Sequence, residues 1–289
     1  MKKVKTCIFP VAGLGSRFLP ATKSIPKEML VVVDKPLIQY AVEEAKAAGI
    51  ERFIFVTSQG KSAIEDHFDS SPTLETILKK RGKDQELQAL EGLRLEPGQA
   101  IYIRQHAPLG LGHAVLCAEA LVNEEAFAVI LADDLVLSRE PCLKQMLNAY
   151  QKEQGNMVGV MDVPYDQTHR YGILKISKEE GQKVYADGVF EKPDIQKAPS
   201  RVAIIGRYVL KKEIFHHLHK QHPGAGGEIQ LTDALQKMIP EKPLCGFRYS
   251  GQRFDCGTKE GWLEANIAFA ASCPELRLNL KTVLGKYSF

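Results

Sequence analysis

The chain has 289 residues, of which 44% are hydrophobic and 25% are charged, and its formal net charge is +3. A chain of this length buries roughly 75% of the surface of its unfolded form, so its core needs no disulfide or structural metal. The small net charge and scattered basic residues argue against a nucleic-acid partner, and no apolar run approaches the ~20 residues of a membrane span.

The six cysteines are far apart and form no Cys-x-x-Cys motif. The basic start of the chain leads into an apolar stretch without a small-residue cleavage pattern, which predicts a first strand and not a signal peptide. Together these features predict a reduced, cytoplasmic protein.

Apolar strand-like runs alternate with helical patterns through the first half of the chain. The predicted strands are residues 4–11, 53–56, 101–103 and 127–131, and the predicted helices are 36–48, surface helices within 70–98, 113–121 and 139–153. Strands that alternate with helices are typical of a mostly parallel sheet with right-handed crossovers.

The second half is richer in strand patterns. Strands are predicted at 157–163, 172–176, 184–190 and 203–210, and helices at 212–219, 229–238 and 259–271. Because no linker or internal repeat separates the halves, the sequence predicts one α/β domain over residues 1–289 with a mixed sheet. The ligand is expected at the carboxyl ends of the parallel strands.

The most informative segment is residues 13–28, which follow the first predicted strand and contain two glycines and two prolines. Glycines let backbone N–H groups approach a phosphate closely, because no Cβ blocks the way. Three cations, Arg17, Lys23 and Lys27, can supply charge-assisted hydrogen bonds to phosphate oxygens. The segment therefore predicts a loop that wraps a polyphosphate.

Two other phosphate-binding motifs fit this segment poorly. A dinucleotide-binding turn, as in Rossmann dehydrogenases, needs a third glycine where Phe18 stands, and Pro20 and Pro26 oppose the helix that it requires. Asp34 lies about 20 residues on, where a ribose-binding acid would be, but no second strand clearly delivers it. A Walker-type loop is excluded because no Gly-Lys-Ser/Thr ends the run.

The run Gly-x-Gly-Ser-Arg-x-x-Pro-x-Thr-Lys-x-x-Pro-Lys-Glu resembles the signature of the sugar-nucleotide pyrophosphorylases. Further segments that agree with this family are residues 29–40, 110–114, 191–193, 206–208, 226–233 and 255–257. The resemblance covers nearly the whole chain, and the continuation after residue 28 is similar to bacterial members that join UTP to glucose 1-phosphate.

This resemblance implies a three-layer, Rossmann-like nucleotidyltransferase fold with a mixed, mostly parallel central sheet. Residues 1–135 would form the nucleotide-binding half, and residues 136–289 the sugar-phosphate-binding half with the C-terminal helices. Family members are homodimers or homotetramers. The short C-terminal tail of this chain leaves its own oligomeric state open.

The implied reaction is a direct displacement, in which an oxygen of glucose 1-phosphate attacks the α-phosphorus of UTP and pyrophosphate leaves. Both reactants are anionic, so Mg²⁺ and fixed cations must offset their repulsion. By resemblance Arg17 contacts the departing pyrophosphate and Lys27 the α-phosphate. Lys23 matches the signature too, and the sequence leaves open whether it contacts phosphate or only shapes the loop.

Two aspartates are the predicted magnesium ligands. Asp133 follows the predicted strand 127–131, and Asp255 ends an apolar run before Cys-Gly. Carboxylates at such positions can hold Mg²⁺ that bridges two phosphates, and the resemblance assigns this role to both. Asp134 is expected to be an ordinary loop or helix-capping residue.

The base and the sugar are assigned to separate groups of residues. By resemblance Gln105, with Gly13, Gly15 and Gly110, binds the nucleotide, and the Gln105 amide can both donate and accept a hydrogen bond.

Glu191 would accept from glucose hydroxyls, Lys192 would bind the sugar phosphate, and Gly172 would allow a close backbone approach. Adjacent strand residues point to opposite faces, so using both Glu191 and Lys192 requires a twist or bulge there.

Several features carry no assigned role. The histidines 216, 217, 219 and 222 match no zinc spacing, and residues 224–233 are expected to form a loop that leads into a helix. Val31 and Arg201 replace a proline and an asparagine of the family pattern, but no assigned ligand is lost.

Two alternatives stay open: the same chemistry with dTTP, and a non-catalytic relative that regulates the true enzyme. The second is disfavoured because Arg17, Lys27, Asp133 and Asp255 are all present.

Overall fold

The computed structural model describes residues 3–150, 155–222, 224 and 227–287. Its strands are β1 Thr6–Pro10, β2 Val31–Val32, β3 Lys35–Pro36, β4 Arg52–Thr57, β5 Ala100–Arg104, β6 Ala126–Ile130, β7 Asp134–Leu137, β8 Asn156–Asp162, β9 Gly172–Glu180, β10 Lys183–Glu191, β11 Val202–Lys211, β12 Leu244–Arg248 and β13 Gln252–Asp255. Its α-helices are α1 Leu37–Ala47, α2 Ser62–Phe68, α3 Pro72–Lys80, α4 Asp84–Leu93, α5 Leu111–Cys117, α6 Cys142–Tyr150, α7 Ile214–His219, α8 Leu231–Met238, α9 Lys259–Ser272 and α10 Pro274–Leu284.

Nine strands form the main sheet, in the order β5-β4-β1-β6-β11-β8-β12-β10-β9. The pairs β5–β4, β4–β1, β1–β6 and β8–β12 are parallel, and the other neighbouring pairs are antiparallel. The sheet is therefore mixed as predicted, but the prediction of a mostly parallel sheet is wrong. Hairpin connections such as the tight turn between β9 and β10 impose antiparallel pairing, whereas parallel pairing needs a crossover.

Strand β9 also pairs with β11, through Ile173 and Ala203. The strands β11, β8, β12, β10 and β9 thereby close into a five-stranded barrel beside the open parallel part of the sheet. The two parts contribute different features to the site. The open part contributes the loops that follow the carboxyl ends of β1, β4 and β5, and the barrel contributes the ends of its strands.

Helices cover both faces of the sheet because the strands are apolar on both. Along β1, Cys7 and Phe9 belong to one buried cluster, whereas Ile8 belongs to another on the opposite face, as strand alternation requires. Helices α1, α2 and α6 pack into the first cluster, and α5, α7 and α8 into the second. This arrangement agrees with the expected layered α/β fold.

Each predicted strand and helix has a counterpart in the structure, with boundaries that shift by a few residues. Helix α6 begins at Cys142, later than predicted, and residues 151–153 of that prediction lie outside the described part of the chain. The sequence analysis missed β2, β3, β7, β12, β13, α2 and α10. The missed strands are only two to five residues long, too short for a clear alternating pattern.

Strands β7 and β13 form a small antiparallel ribbon outside the main sheet, with Asp134 opposite Asp255. Leu135, Phe254 and Cys256 of this ribbon pack with Leu37 and Ala265 in a third buried cluster. The ribbon is consequently anchored between α1 and α9, and one of its ends carries the predicted metal-binding aspartates.

Among the described residues, no helix combines the length and the apolar character needed to cross a bilayer. All six cysteines lie among the described residues, and no disulfide joins any of them.

Candidate active site

The loop after β1 runs through three short 3₁₀ turns, Ser16–Phe18, Ala21–Lys23 and Lys27–Met29, and contains no continuous helix. Gly15 has a φ of +66°, a conformation that favours glycine, and its carbonyl accepts a 2.7 Å hydrogen bond from Thr22 Oγ1. A Cβ on Gly15 would lie 3.0 Å from Lys27 Cβ, and one on Gly13 would lie 3.4 Å from Lys27 Cε. Both glycines therefore let the loop curl around the stem of Lys27.

Lys27 and Asp133 form an ion pair of 2.5 Å, and about a quarter of each side chain is exposed. Burial alone would lower the pKa of Lys27, but the carboxylates of Asp133 and Glu28 outweigh it and raise that pKa. Burial opposes ionisation of Asp133 too, yet the Lys27 ammonium holds the pKa of that carboxyl below its ordinary value. Both groups are therefore charged at neutral pH.

The ribbon brings Asp133 and Asp255 together although they are far apart in the sequence. The N–H of Cys256 donates to the carbonyl of Asp133 at 2.8 Å, which extends the pairing of β13 with β7 by one step. Asp255 Oδ1 accepts from the N–H of Gly257 at 3.1 Å, and Asp255 Oδ2 pairs with Arg170 at 3.0 Å. Backbone pairing thus fixes the separation of the two carboxylates.

Gly257 leaves a gap between these carboxylates. A Cβ at this position would lie 3.0 Å from Asp255 Oδ1, 3.1 Å from Asp133 Oδ2 and 3.5 Å from Arg17 Nη1. Arg17 itself is exposed and donates to the carbonyl of Gly257 at 3.4 Å. One predicted phosphate-binding cation and both predicted metal ligands therefore border the same gap.

Within the described ranges, no cluster of three His, Cys, Asp or Glu side chains is placed to hold a metal. Two carboxylates bordering one gap still suit Mg²⁺, because this ion usually takes one or two carboxylates and completes its shell with waters and substrate phosphates.

The expectation that Asp134 is a loop or capping residue is wrong. Asp134 begins β7, is buried, and forms an ion pair with Arg253. Its Oδ2 accepts from the N–H of Gly206 at 2.6 Å, and Arg253 Nη1 donates to the Tyr171 hydroxyl at 3.0 Å. This network ties the ribbon to β11 and to the segment before β9.

A cavity of about 210 Å³ joins the aspartates to the predicted sugar-binding residues. Asp133, Asp255, Gly172 and Glu191 all line it. A Cβ on Gly172 would lie 3.3 Å from Thr232 Oγ1, so this glycine permits close packing at the cavity wall.

Glu191 ends β10, and Lys192 follows it with a φ of +44°. This left-handed backbone supplies the irregularity that use of both side chains requires, and the N–H of Lys192 donates to Tyr171 O at 2.9 Å. Glu191 Oε2 accepts from Thr232 Oγ1 at 2.7 Å, while the Lys192 ammonium lies 3.3 Å from Glu191 Oε1. The two side chains therefore reach the same end of the barrel.

A second cleft, of about 610 Å³, lies among the loops that follow β1, β4 and β5. It is lined by Ala12, Leu14, Ser58, Gln59, Gly60, Arg104, Gln105, His106 and Pro108. Gln105 is buried in its wall, and its Nε2 donates to Gly110 O at 3.1 Å and contacts His113 Nδ1 at 2.9 Å. Gly110 has a φ of +97°, and a Cβ there would lie 2.7 Å from Glu228 Cβ.

A larger cavity, of about 830 Å³, lies between α6 and the turn before β13 and contains none of the predicted site residues. Among the unassigned histidines, His219 pairs with Glu119 at 2.6 Å, His217 lies 3.4 Å from Glu241, and the rings of His216 and His217 meet edge to face. In the 224–233 segment, of which residues 225 and 226 lie outside the described part, Ile229 O accepts from the N–H of Gly112 at 2.8 Å.

Sequence reasoning missed several side chains that border the site. They are Arg170, Tyr171, Thr232, Arg253, His113 and the buried ion pair of Glu28 with Lys61. Arg170 and Arg253 each lie two residues before a predicted site residue, and Glu28, His113 and Thr232 lie within segments that resemble the family. These positions are the signals that the sequence offered.

Comparisons with known proteins agree with the predicted family. A family model described as "Nucleotidyl transferase" matches residues 8–272. A UTP–glucose-1-phosphate uridylyltransferase from Komagataeibacter xylinus is 49% identical over 259 residues, which are 90% of this chain and 91% of that protein.

Two solved structures are also similar. A UDP-glucose pyrophosphorylase complexed with UDP-glucose has a TM-score of 0.86 at 43% identity and covers 93% of this chain and 100% of its own. A UTP-bound UGPase from Acinetobacter baumannii has a TM-score of 0.90 at 41% identity and covers 99% of this chain and 100% of its own.

Proposed function

The chain belongs to the nucleotidyl transferase family, and on that premise we propose that it joins UTP to glucose 1-phosphate, forming UDP-glucose and releasing pyrophosphate. The observation that carries this proposal is the gap beside Gly257, which Asp133, Asp255 and Arg17 border together. Asp133 and Asp255 also line the cavity that Glu191 and Gly172 line, which supports a phosphate-binding region that adjoins a sugar-binding region.

The cations Arg17 and Lys27 offset the repulsion between the two anionic substrates. Arg17 is exposed at the edge of the gap, which supports its proposed contact with the departing pyrophosphate, while Lys27 is held by the loop close to Asp133. Fixed charges of this kind act on the charge that develops in the transition state, and removing one such donor costs roughly 10²–10³ in kcat.

Asp133 and Asp255 are the residues that would hold Mg²⁺. When bound, the ion would neutralise phosphate charge and orient the phosphates of the nucleotide. The ion pair of Lys27 with Asp133 keeps that carboxyl ionised, and an ionised carboxylate is the form that binds a hard cation.

The remaining residues orient the substrates. Glu191 accepts from glucose hydroxyls, Lys192 binds the sugar phosphate, and Gly172 lets the backbone come close to the sugar. Gln105 reads the base, and Gly13, Gly15 and Gly110 shape the walls around the nucleotide. The left-handed turn at Lys192 and the buried position of Gln105 support these assignments.

We further propose a cytoplasmic homodimer or homotetramer without a nucleic-acid or membrane partner. Leu263, Ile267, Leu278, Val283 and Leu284 expose large apolar side chains on α9 and α10, and such a surface is typical of a contact between subunits. The absence of a disulfide among the six described cysteines suits a reducing compartment. Light scattering of the purified protein checks the assembly, and a monomer would contradict it.

The reaction is tested by measuring pyrophosphate release from UTP, dTTP, CTP and ATP in turn, with glucose 1-phosphate and Mg²⁺. We expect strong release with UTP that is lost when EDTA removes the metal. Equal release with dTTP would shift the proposal to a thymidylyltransferase-like or relaxed enzyme. Silence with all four nucleotides would favour another sugar phosphate as substrate or the non-catalytic relative, and release that survives EDTA would overturn the metal site.

A further inference from the structure

The orientation of the Gln105 amide is fixed by the protein before any nucleotide binds. Its Nε2 lies 3.1 Å from Gly110 O and 2.9 Å from His113 Nδ1. A backbone carbonyl only accepts hydrogen bonds, so the amide atom that faces Gly110 must be the NH₂ group. Turning the amide over would place two acceptors against each other.

His113 takes up the second hydrogen of that NH₂ group. Because the NH₂ donates, Nδ1 of His113 must accept, which is the arrangement of the tautomer that carries its hydrogen on Nε2. His113 lies in the first turn of α5, and the N–H of Gly112 beside it donates to Ile229 O at 2.8 Å, which anchors the start of this helix. The Cys117 thiol, one turn later, lies 3.9 Å from the same Nδ1 and adds only a weak donor.

Both N–H bonds of the Gln105 amide are thus used inside the protein. Its Oε1 accepts no hydrogen bond from the part of the chain that the structure describes, and Gln105 lines the cleft after β5. Sequence reasoning allowed this amide to donate as well as accept. The structure leaves only the acceptor for a molecule in the cleft.

An acceptor at this point distinguishes bases by the polarity of their Watson–Crick edge. The discrimination acts at the ring nitrogen of that edge, where uracil and thymine present a donor, N3–H, whereas N3 of cytosine and N1 of adenine are acceptors. The NH₂ donors of cytosine and adenine lie beside this position, so the discrimination requires that Oε1 faces the ring nitrogen. Placing a lone pair against Oε1 would leave two acceptors unpaired in a partly buried site, and such a mismatch is costly.

We propose that His113 is a positioning residue that holds the carbonyl of Gln105 toward the base and thereby rejects CTP. This inference rests on the proposed function, because it concerns the nucleotide of that same reaction. His113 does not touch the substrate. It acts by taking the hydrogen that would otherwise let the amide turn its NH₂ group toward the N3 acceptor of cytosine.

The test compares His113→Leu, which removes the acceptor, with His113→Asn, whose Oδ1 keeps an acceptor close to the position of Nδ1. The measured quantity is kcat/KM for UTP, CTP and dTTP with glucose 1-phosphate. In the leucine variant we expect the ratio of CTP to UTP to rise roughly tenfold. The ratio of dTTP to UTP should stay unchanged, because both bases present N3–H, and the asparagine variant should keep the wild-type ratios.

Parallel losses with all three nucleotides in a folded His113→Leu protein would mean that His113 is merely structural, and the inference would be wrong. Wild-type protein with no UTP activity would instead overturn the proposed function. Should the leucine variant not fold, His113→Ala takes its place. Wild-type protein gives a further check: efficient use of 3-methyl-UTP, which lacks N3–H, would contradict the acceptor geometry of Gln105.

Discussion

The phosphate-binding loop and the sugar-binding end of the barrel hold their polar groups in different ways. At the loop, Lys27 pairs across 2.5 Å with Asp133, which lies between β6 and β7, and each side chain is about a quarter exposed. At the barrel, the Glu191 side chain is 15% exposed and accepts a 2.7 Å hydrogen bond from Thr232 at a strand end. Lys27 and Asp133 are thus partners of each other, whereas Glu191 is held by Thr232, a residue of helix α8.

This difference predicts different functional roles for the two regions. Groups in the loop must exchange their present partners for phosphate or metal, so they act on charge that changes during the reaction. Groups at the barrel are already oriented by strand ends and by the hydrogen bond from Thr232 to Glu191, so they contribute to substrate binding. Substitutions in the loop should therefore lower kcat, and substitutions at the barrel should raise KM.

The largest effect is expected for Asp133→Ala. This change removes a predicted metal ligand and the ion-pair partner of Lys27, so turnover should fall by at least roughly 10³-fold even in saturating Mg²⁺. Thermal unfolding should show an intact fold, because the side chain is partly exposed. A near-normal rate of pyrophosphate release would mean that the metal site lies elsewhere.

A smaller loss, of roughly 10²–10³ in kcat, is expected for Lys27→Met. The KM for glucose 1-phosphate should change little, because the sugar cavity keeps its walls. Lys23→Met is the matched comparison: Lys23 is exposed in the same loop, and we expect it to lose much less. An equal loss in both variants would assign Lys23 to the phosphates as well.

The loop and the barrel also differ in how much of them the sequence could predict. The glycines and prolines of residues 13–28 restrict or relax the backbone angles of the residues next to them. The turns and the absence of a helix could therefore be predicted from the local sequence. The kink at Lys192 followed from strand alternation in the same way. The pairing of Arg253 with Asp134 spans 119 positions, and the closure of the barrel depends on β12, a strand of five residues.

The orientation of Gln105 could not be predicted from residue types. An isolated amide can turn either end toward a ligand, and only the packed positions of Gly110 and His113 decide between them. A sequence motif can thus identify a site residue such as Gln105. Whether its amide turns a donor or an acceptor toward the ligand can be determined only from the folded structure.

Lys192→Ala tests the barrel side of the comparison. It should raise KM for glucose 1-phosphate by about tenfold or more and leave KM for UTP nearly unchanged, because a charge-assisted contact to the sugar phosphate is lost. Lys197→Ala is the control: Lys197 is exposed and pairs with Asp194 at 2.9 Å. An equal rise in KM for both substrates after the Lys192 change would contradict its assignment to the sugar phosphate.

The smallest effect is the contribution of the Lys27–Asp133 pair to stability at different pH. The pKa of Asp133 lies below its ordinary value, so its stabilising contribution is present above about pH 4 and is lost as the pH falls through the lowered pKa. The pKa of Lys27 is raised, so its contribution is present below about pH 10 and is lost as the pH rises through the raised pKa.

Asp133→Asn removes the titrating carboxyl while keeping its shape. The Tm advantage of the wild-type protein over this variant should be present at neutral pH and shrink on acidification, by at most about 2–4 °C, the shift that ~1 kcal/mol produces in a protein of this size. The expected Tm difference is small because both side chains are partly exposed, and solvent screening weakens the attraction between Lys27 and Asp133. A Tm difference that stays constant from neutral to acid pH would mean that Lys27 and Asp133 do not stabilise each other. The contrast between loop and barrel would then rest on the kinetic variants alone.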